Sequence, residues 1–277
     1  MSGEAVIQSP LGVPEDGLLD PHSRNHGIAP PQLLAALEEF LALRSNTDDP
    51  YLQAKRAFRP ARQELVRAYC HIRTALAPGQ HVLDWGCRHA ALSWLARAEF
   101  GDALTLHGCD VCEPAQYADF HQRIALDYRR LRHPWRLDYA DAAFDCVLAG
   151  GTLEHVANDG ESLTELWRVL RPDGALLLTH LPNAASWTEF VSRRLFPQQA
   201  HRRRYRAGEF RRRLLQHGFE VSACGHHQLM PSGLPPALRR LDGLLQAAQP
   251  LNALENLWPL RGLSATMWLI ARKREGF

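Results

Sequence analysis

The chain has 277 residues, a formal net charge of +2, 45% hydrophobic and 22% charged residues. That length can bury one large core or two small ones, and the composition excludes a disordered or fibrous protein. No run approaches the roughly 20 uninterrupted apolar residues of a membrane helix, and the N-terminus lacks a charged-then-apolar signal pattern, so a cytoplasmic protein is expected.

Residues 1–50 read as an N-terminal arm, rich in Pro and Gly up to Pro31, with a first helix over 31–43. There Leu33, Leu34, Leu37, Phe40 and Leu41 follow helical spacing. The main domain is expected over 51–277, opening with a helix over 61–75. Residues 82–96, VLDWGCRHAALSWLA, are the most informative stretch. Val82 and Leu83 enter a buried strand, Gly86 turns the backbone, and Leu92, Leu95 and Ala96 recur on one face of a following helix. A dinucleotide fingerprint would need further glycines, yet Arg88 and Ala90 or Ala91 occupy those places. The Asp84 carboxylate beside the turn would repel a pyrophosphate but suits a ligand with an ammonium group and no phosphates. S-adenosylmethionine fits that description.

A second strand over 104–108 ends near Asp110, in the zone where an acid meets ribose hydroxyls. Residues 144–149, FDCVLA, form a third apolar run that opens through Gly150 and Gly151. A helix over 161–170 carries Leu163, Leu166, Trp167 and Leu170 on one face; Pro172, Asp173 and Gly174 stop it before a strand over 175–179. Residues 229–262 read as an insertion with an amphipathic helix pair, for which packing over the sheet is the ordinary expectation, before a closing strand over 265–271. This alternation predicts a mostly parallel, doubly wound sheet with its ligand at the C-terminal strand ends.

The six cysteines, among them the C-x-x-C of Cys109 and Cys112, read as reduced packing residues. No second C-x-x-C or ligand-spaced His pair accompanies them, and His226 and His227 merely follow a strand, so no metal is expected. Nine arginines lie between Arg193 and Arg213. They form either an anion-binding patch or a solvated helix face whose buried side holds Phe210, Leu214 and Leu215.

Four pieces in order, VLDWGC at 82–87, LHGCD at 106–110, AAFDCVLAGGTLEHV at 142–156 and LWRVLRPDGALLLTHLPN at 166–183, resemble the class I S-adenosylmethionine-dependent methyltransferases of the small-molecule group. The resemblance covers about residues 60–225. It implies an α/β, Rossmann-like seven-stranded mostly parallel sheet with helices on both faces and an antiparallel last strand. It also implies S-adenosylmethionine as cofactor, held by Asp84, Trp85, Gly86, Cys87, Asp110, Val111, Asp138 and Gly150. In this family N-terminal helices cover the cofactor, and Tyr51, Lys55 and Arg59 either reach in from that cover or lie on its surface. The chain departs from the pattern at Arg88, where a second glycine is usual, and at Leu137, Asp138 and Tyr139, where Leu-Pro-Phe is usual. Two readings of Arg88 and His89 stand: Arg88 solvent-facing with His89 starting the helix, or both facing the crevice to hold an anion.

The sulfonium already activates the methyl group, so the protein must chiefly align a nucleophile and exclude water. For a hydroxyl acceptor a histidine could take the proton. His155 is the first candidate and His180 the second, with a packing role the competing reading for His155; Asn183 and Tyr205 are further substrate-side candidates. The Pro-Pro-aromatic turn of base-amino methyltransferases is replaced by Ala149, Gly150, Gly151 and Thr152, so nucleic acid is not expected. The expected reaction is methyl transfer, at oxygen, to a small-molecule acceptor that is anionic or lipid-linked. A non-catalytic fold relative, or cofactor-dependent chemistry of another kind, are the alternatives.

Overall fold

The computed structural model describes residues 30–198, 200–234, 236–255 and 257–276. The arm expected ahead of residue 30 lies outside the described residues. Seven strands form one sheet, β1 (His81–Trp85), β2 (Thr105–Asp110), β3 (Asp127–Arg130), β4 (Phe144–Gly150), β5 (Leu170–Pro182), β6 (Phe219–His227) and β7 (Thr266–Lys273). Their order is β3-β2-β1-β4-β5-β7-β6. The pairs from β3 through β5 are parallel, and β7 runs antiparallel between β5 and β6. This is the Rossmann-like arrangement expected, including the antiparallel last strand.

Alternation along β1 divides the core. Val82 joins one apolar cluster with Phe40, Tyr69, Leu95 and Phe120, while Leu83 and Trp85 join the other with Leu163, Leu166, Phe210 and Leu214. Helices α1 (Pro30–Ala42), α3 (Arg59–Ile72), α4 (Ala91–Phe100) and α5 (Ala118–Arg123) serve the first cluster; α6 (Asp159–Val169) and α8 (Ala207–Gln216) serve the second, with α7 (Trp187–Leu195) between them in the chain. On α1 the residues at helical spacing, Leu33, Leu37 and Phe40, are fully buried. The short α2 (Pro50–Ala57) starts where the Asp49 carboxylate accepts hydrogen bonds from the backbone N–H groups of Tyr51 and Leu52.

Three local features differ from the sequence expectations. The edge strand β3 was not expected: Asp127, Arg129 and Arg130 are exposed and Tyr128 is half-buried, so it has no apolar run to read. The segment Arg171, Pro172, Asp173, Gly174 is a bulge inside β5 rather than a stop before it. Leu170 already pairs with Phe144, and the register shifts before Ala175 pairs with Cys146. The connection from β6 to β7 holds α9 (Asp242–Ala248) between 3₁₀ turns. It rests on the N-terminal helices rather than on the sheet, with Leu245 against Phe58 and Ala61.

Candidate active site

At the C-terminal ends of β1, β4 and β5 the chain leaves a cavity of about 300 Å³, lined in part by Tyr51, Lys55, Asp84, Gly86, Arg88, Gly150, Glu154, His155 and His180. Its loop is shaped by Gly86, which has φ +74°. A Cβ there would stand 2.3 Å from Thr152 Cγ2. Thr152 is fixed in turn, because its hydroxyl donates to the Trp85 carbonyl at 3.0 Å. Only glycine lets the β1 turn and the segment after β4 approach this closely.

Asp84 is buried, and the Ser93 hydroxyl from α4 donates to it at 2.7 Å. Burial pushes its carboxyl up to about 6 despite that hydrogen bond. Asp110 ends β2 beside the same loop. Its Oδ2 accepts the Arg88 backbone N–H at 3.0 Å and its Oδ1 the Val111 N–H at 2.7 Å. A carboxylate has about four acceptor positions, so capacity remains for hydroxyl donors.

Of the residues expected to hold cofactor, Asp84, Gly86, Cys87 and Gly150 line the cavity. Asp110 braces its loop. The Trp85 side chain lies in the opposite core cluster, and Val111 is 67% exposed. Asp138 lies in a separate arginine-rich cavity with Arg129 and Arg136. Its carbonyl accepts from Arg129 at 2.8 Å.

Neither reading of Arg88 and His89 describes them fully. Arg88 lines the cavity with a half-exposed side chain, and its Nη2 lies 3.8 Å from Asp49 Oδ2 and 3.4 Å from the Tyr117 hydroxyl. His89 is buried ahead of α4, stacked on Tyr51 and packed against Tyr117. Burial pushes it down to about 4. Arg88 has φ +43°, so this loop keeps a glycine-like backbone where the family usually has glycine.

Both expected histidines line the cavity. The side chain of His155 is 70% exposed, with Nε2 3.8 Å from Glu154 Oε1. His180, at φ +58°, is the anchored one. Its Nδ1 lies 3.0 Å from the Thr179 hydroxyl and its Nε2 2.8 Å from Glu64 Oε1. Glu64 is buried on α3, and Lys55 from α2 donates to its other oxygen at 3.1 Å. Burial alone would raise the Glu64 carboxyl, but His180 and Lys55 hold it well below the usual carboxylate range. Glu154 is also buried, and burial pushes its carboxyl up; its Oε2 has no hydrogen-bond partner among the described residues.

Sequence reasoning missed Glu64 and Glu154. Glu154 stood inside the LEHV piece as a signal, whereas Glu64 meets the site only through the packing of α3. Asn183 and Tyr205 are placed structurally. Asn183 donates to the carbonyls of Gly262 and Ser264, and the Tyr205 hydroxyl donates to the Leu153 carbonyl at 3.3 Å. Among the nine arginines, Arg213 forms a two-pronged pair with Asp159 and Arg203 donates to the Leu153, Val156 and Ala157 carbonyls. They brace the segment carrying Glu154 and His155. Phe210 and Leu214 are buried as expected, but Leu215 is exposed.

A methyltransferase-domain family matches residues 83–178. A demethylmenaquinone methyltransferase of Symbiobacterium thermophilum is 28% identical over 109 residues, 38% of this chain and 43% of that relative, so the match spans less than half of the relative's length. Among solved structures, the protein complexed with the Haloferax volcanii Trm112 methyltransferase activator shares the fold at TM-score 0.59 and 15% identity, over 86% of this chain and 98% of that one. A 1,6-didemethyltoxoflavin-N1-methyltransferase of Burkholderia thailandensis, solved with S-adenosylhomocysteine, shares it at TM-score 0.53 and 17% identity, over 91% and 93%. Together with the strand order and the glycine loop beside an acidic strand end, these matches support a methyltransferase domain over residues 83–178, on a fold shared with a solved methyltransferase.

Proposed function

We propose that the chain transfers a methyl group from S-adenosylmethionine to an oxygen of a small or lipid-linked acceptor in the cavity at the ends of β1, β4 and β5. The observation that carries this reading is the juxtaposition, in one cavity, of Asp84 and the Gly86 loop with Glu154, His155 and His180. The residues suit the cofactor's chemistry: buried Asp84 offers a negative charge to an ammonium group, and Asp110 keeps acceptor capacity for ribose hydroxyls. The bound cofactor supplies an activated methyl group. The protein's part is to bind, orient and exclude water.

His180 has both ring nitrogens engaged, Nε2 with Glu64 and Nδ1 with Thr179, so it positions the inner wall. His155, whose exposed ring lines the cavity, is the residue available to take a proton from an acceptor hydroxyl. His155, at the open side, is suited to contacting the acceptor. The curated relative is named for demethylmenaquinone, which supports a lipid-linked acceptor.

Calorimetric titration with S-adenosylhomocysteine tests the cofactor site. We expect micromolar binding by the wild type and a loss of at least about tenfold in Asp110→Ala. Incubation with methyl-labelled S-adenosylmethionine and lipid and aqueous extracts then tests the acceptor. Label in an ether that resists mild base would support oxygen transfer; label on carbon or nitrogen would overturn that part, and no binding by folded wild type would overturn the whole reading.

A further inference from the structure

Behind the wall of the cavity, three segments distant in sequence bring two histidines and a glutamate together. His71 comes from α3, His227 from the end of β6, and Glu255 from the connection between β6 and β7. One ligand atom of each lies within 4.8 Å of the others. His71 Nε2 and His227 Nδ1 are both buried and without a hydrogen-bond partner among the described residues. His227 is 1% exposed and Glu255 5%. Two orphaned imidazole nitrogens at such depth would each carry an uncompensated desolvation penalty. The His227 Nδ1 instead faces Glu255 Oε1 at 3.8 Å.

The surroundings complete the pattern of a metal centre. Metal-binding histidines characteristically engage their second nitrogen with a carboxylate or carbonyl, which fixes the ring and its tautomer. His227 Nε2 lies 3.3 Å from both the Glu64 carbonyl and Glu64 Oε1. The His71 ring is held by stacking on Trp268, at 4.9 Å and an interplanar angle of 3°. Glu255 has its other oxygen, Oε2, occupied by Arg67 at 2.5 Å and by the Gln228 backbone N–H at 2.7 Å. That leaves Oε1 for the cluster.

We propose that His71, His227 and Glu255 bind one divalent transition-metal ion of the zinc class, which clamps α3, the end of β6 and the β6–β7 connection together. Two imidazoles and one carboxylate are a donor set such ions accept. Bonds of about 2.0–2.1 Å in a tetrahedral arrangement hold neighbouring donors roughly 3.4 Å apart. The observed spacing therefore closes with a small shift of side chains. A water molecule would take the remaining position. Because Glu64 touches both His227 and His180, the ion would also steady the inner wall of the cavity. This reading of the cluster is independent of the reaction performed there.

The test uses the full chain with any affinity tag removed, stripped with a chelator and then titrated with zinc and, separately, with cobalt(II). We expect one ion per chain, a higher melting temperature on zinc addition, and cobalt absorption bands of a nitrogen and oxygen site. His71→Gln and Glu255→Gln should weaken binding by more than the roughly 10–100-fold that follows loss of an outer-shell partner. His226→Gln, next in sequence but outside the cluster, should bind as the wild type does. Absence of stoichiometric binding by folded wild type would overturn the proposal and leave a protonated His227 between Glu64 and Glu255 as the occupant. Unchanged binding in both variants would overturn it as well. Should the variants fail to fold, the wild-type cobalt spectrum decides: thiolate charge-transfer bands would move the ion to the cysteines, and their absence would support the histidine site.

Discussion

Gly86 concentrates the loop's geometry in a single missing side chain. Gly86→Ala would force a Cβ into Thr152 and hold a non-glycine residue at φ +74°. Strain of this kind costs about 1–3 kcal/mol, so we expect a lower melting temperature and loss of the calorimetric signal for S-adenosylhomocysteine. Asp84 makes the opposite trade. Its carboxyl, raised by burial from 3.8 to about 6, leaves the folded state holding a proton that the unfolded chain releases. The group's contribution to folding is therefore fully present below 3.8 and is lost as pH rises through about 6. At pH 7.5, Asp84→Asn should gain on the order of 1–3 kcal/mol in urea denaturation while ligand affinity falls. In the wild type, binding of an ammonium-bearing ligand near pH 6 should release a proton, measurable as a dependence of the binding heat on the buffer's ionisation enthalpy.

Among the elements, α2 and α3 meet through a buried pair, Lys55 and Glu64, whose side chains are 12% and 6% exposed. Glu64→Gln leaves a buried ammonium without its counter-charge, and breaking such a pair costs about 3–5 kcal/mol. The double variant Lys55→Met, Glu64→Gln should recover much of that loss in a chemical-denaturation cycle, provided the pair and not Glu64's contact with His180 dominates; recovery of activity is not expected. This pair also shows where sequence reading stops. The β1–α4 unit was legible because its apolar spacing changes period across one glycine, and Asp84 and Gly86 follow from it, as Gly150 follows from the apolar run of β4. Strand β3 was not legible, since Asp127, Arg129 and Arg130 face solvent and only pairing with β2 makes them a strand. Glu64 was hidden because a carboxylate on an amphipathic helix normally faces water, and only the arrival of Lys55 and His180 turns it inward. Asp138 came from motif alignment alone, and the altered Leu137, Asp138, Tyr139 segment lines a neighbouring cavity.

Across the whole molecule, no helix among the described residues is long and apolar enough to cross a membrane. The sheet has a hydrogen-bonding architecture with an uneven distribution of dependence. Strands β1 to β5 pair with one another, whereas β6 pairs only with β7, and β7 is the strand that joins it to β5. A chain ending at residue 265 would strip partners from both β5 and β6 and expose two apolar edges. We expect such a chain to aggregate and to show no cooperative melt by circular dichroism, unlike the full chain. The same wiring has a bearing on synthesis. As the polypeptide leaves the ribosome, the covering helices and the parallel half of the sheet can assemble early, while β6 must wait without a neighbour until β7 arrives and is slotted between two strands already made. The interval between those events is the period in which the nascent protein is most exposed to mispairing, and a chaperone guarding the β5 edge would find its longest task there.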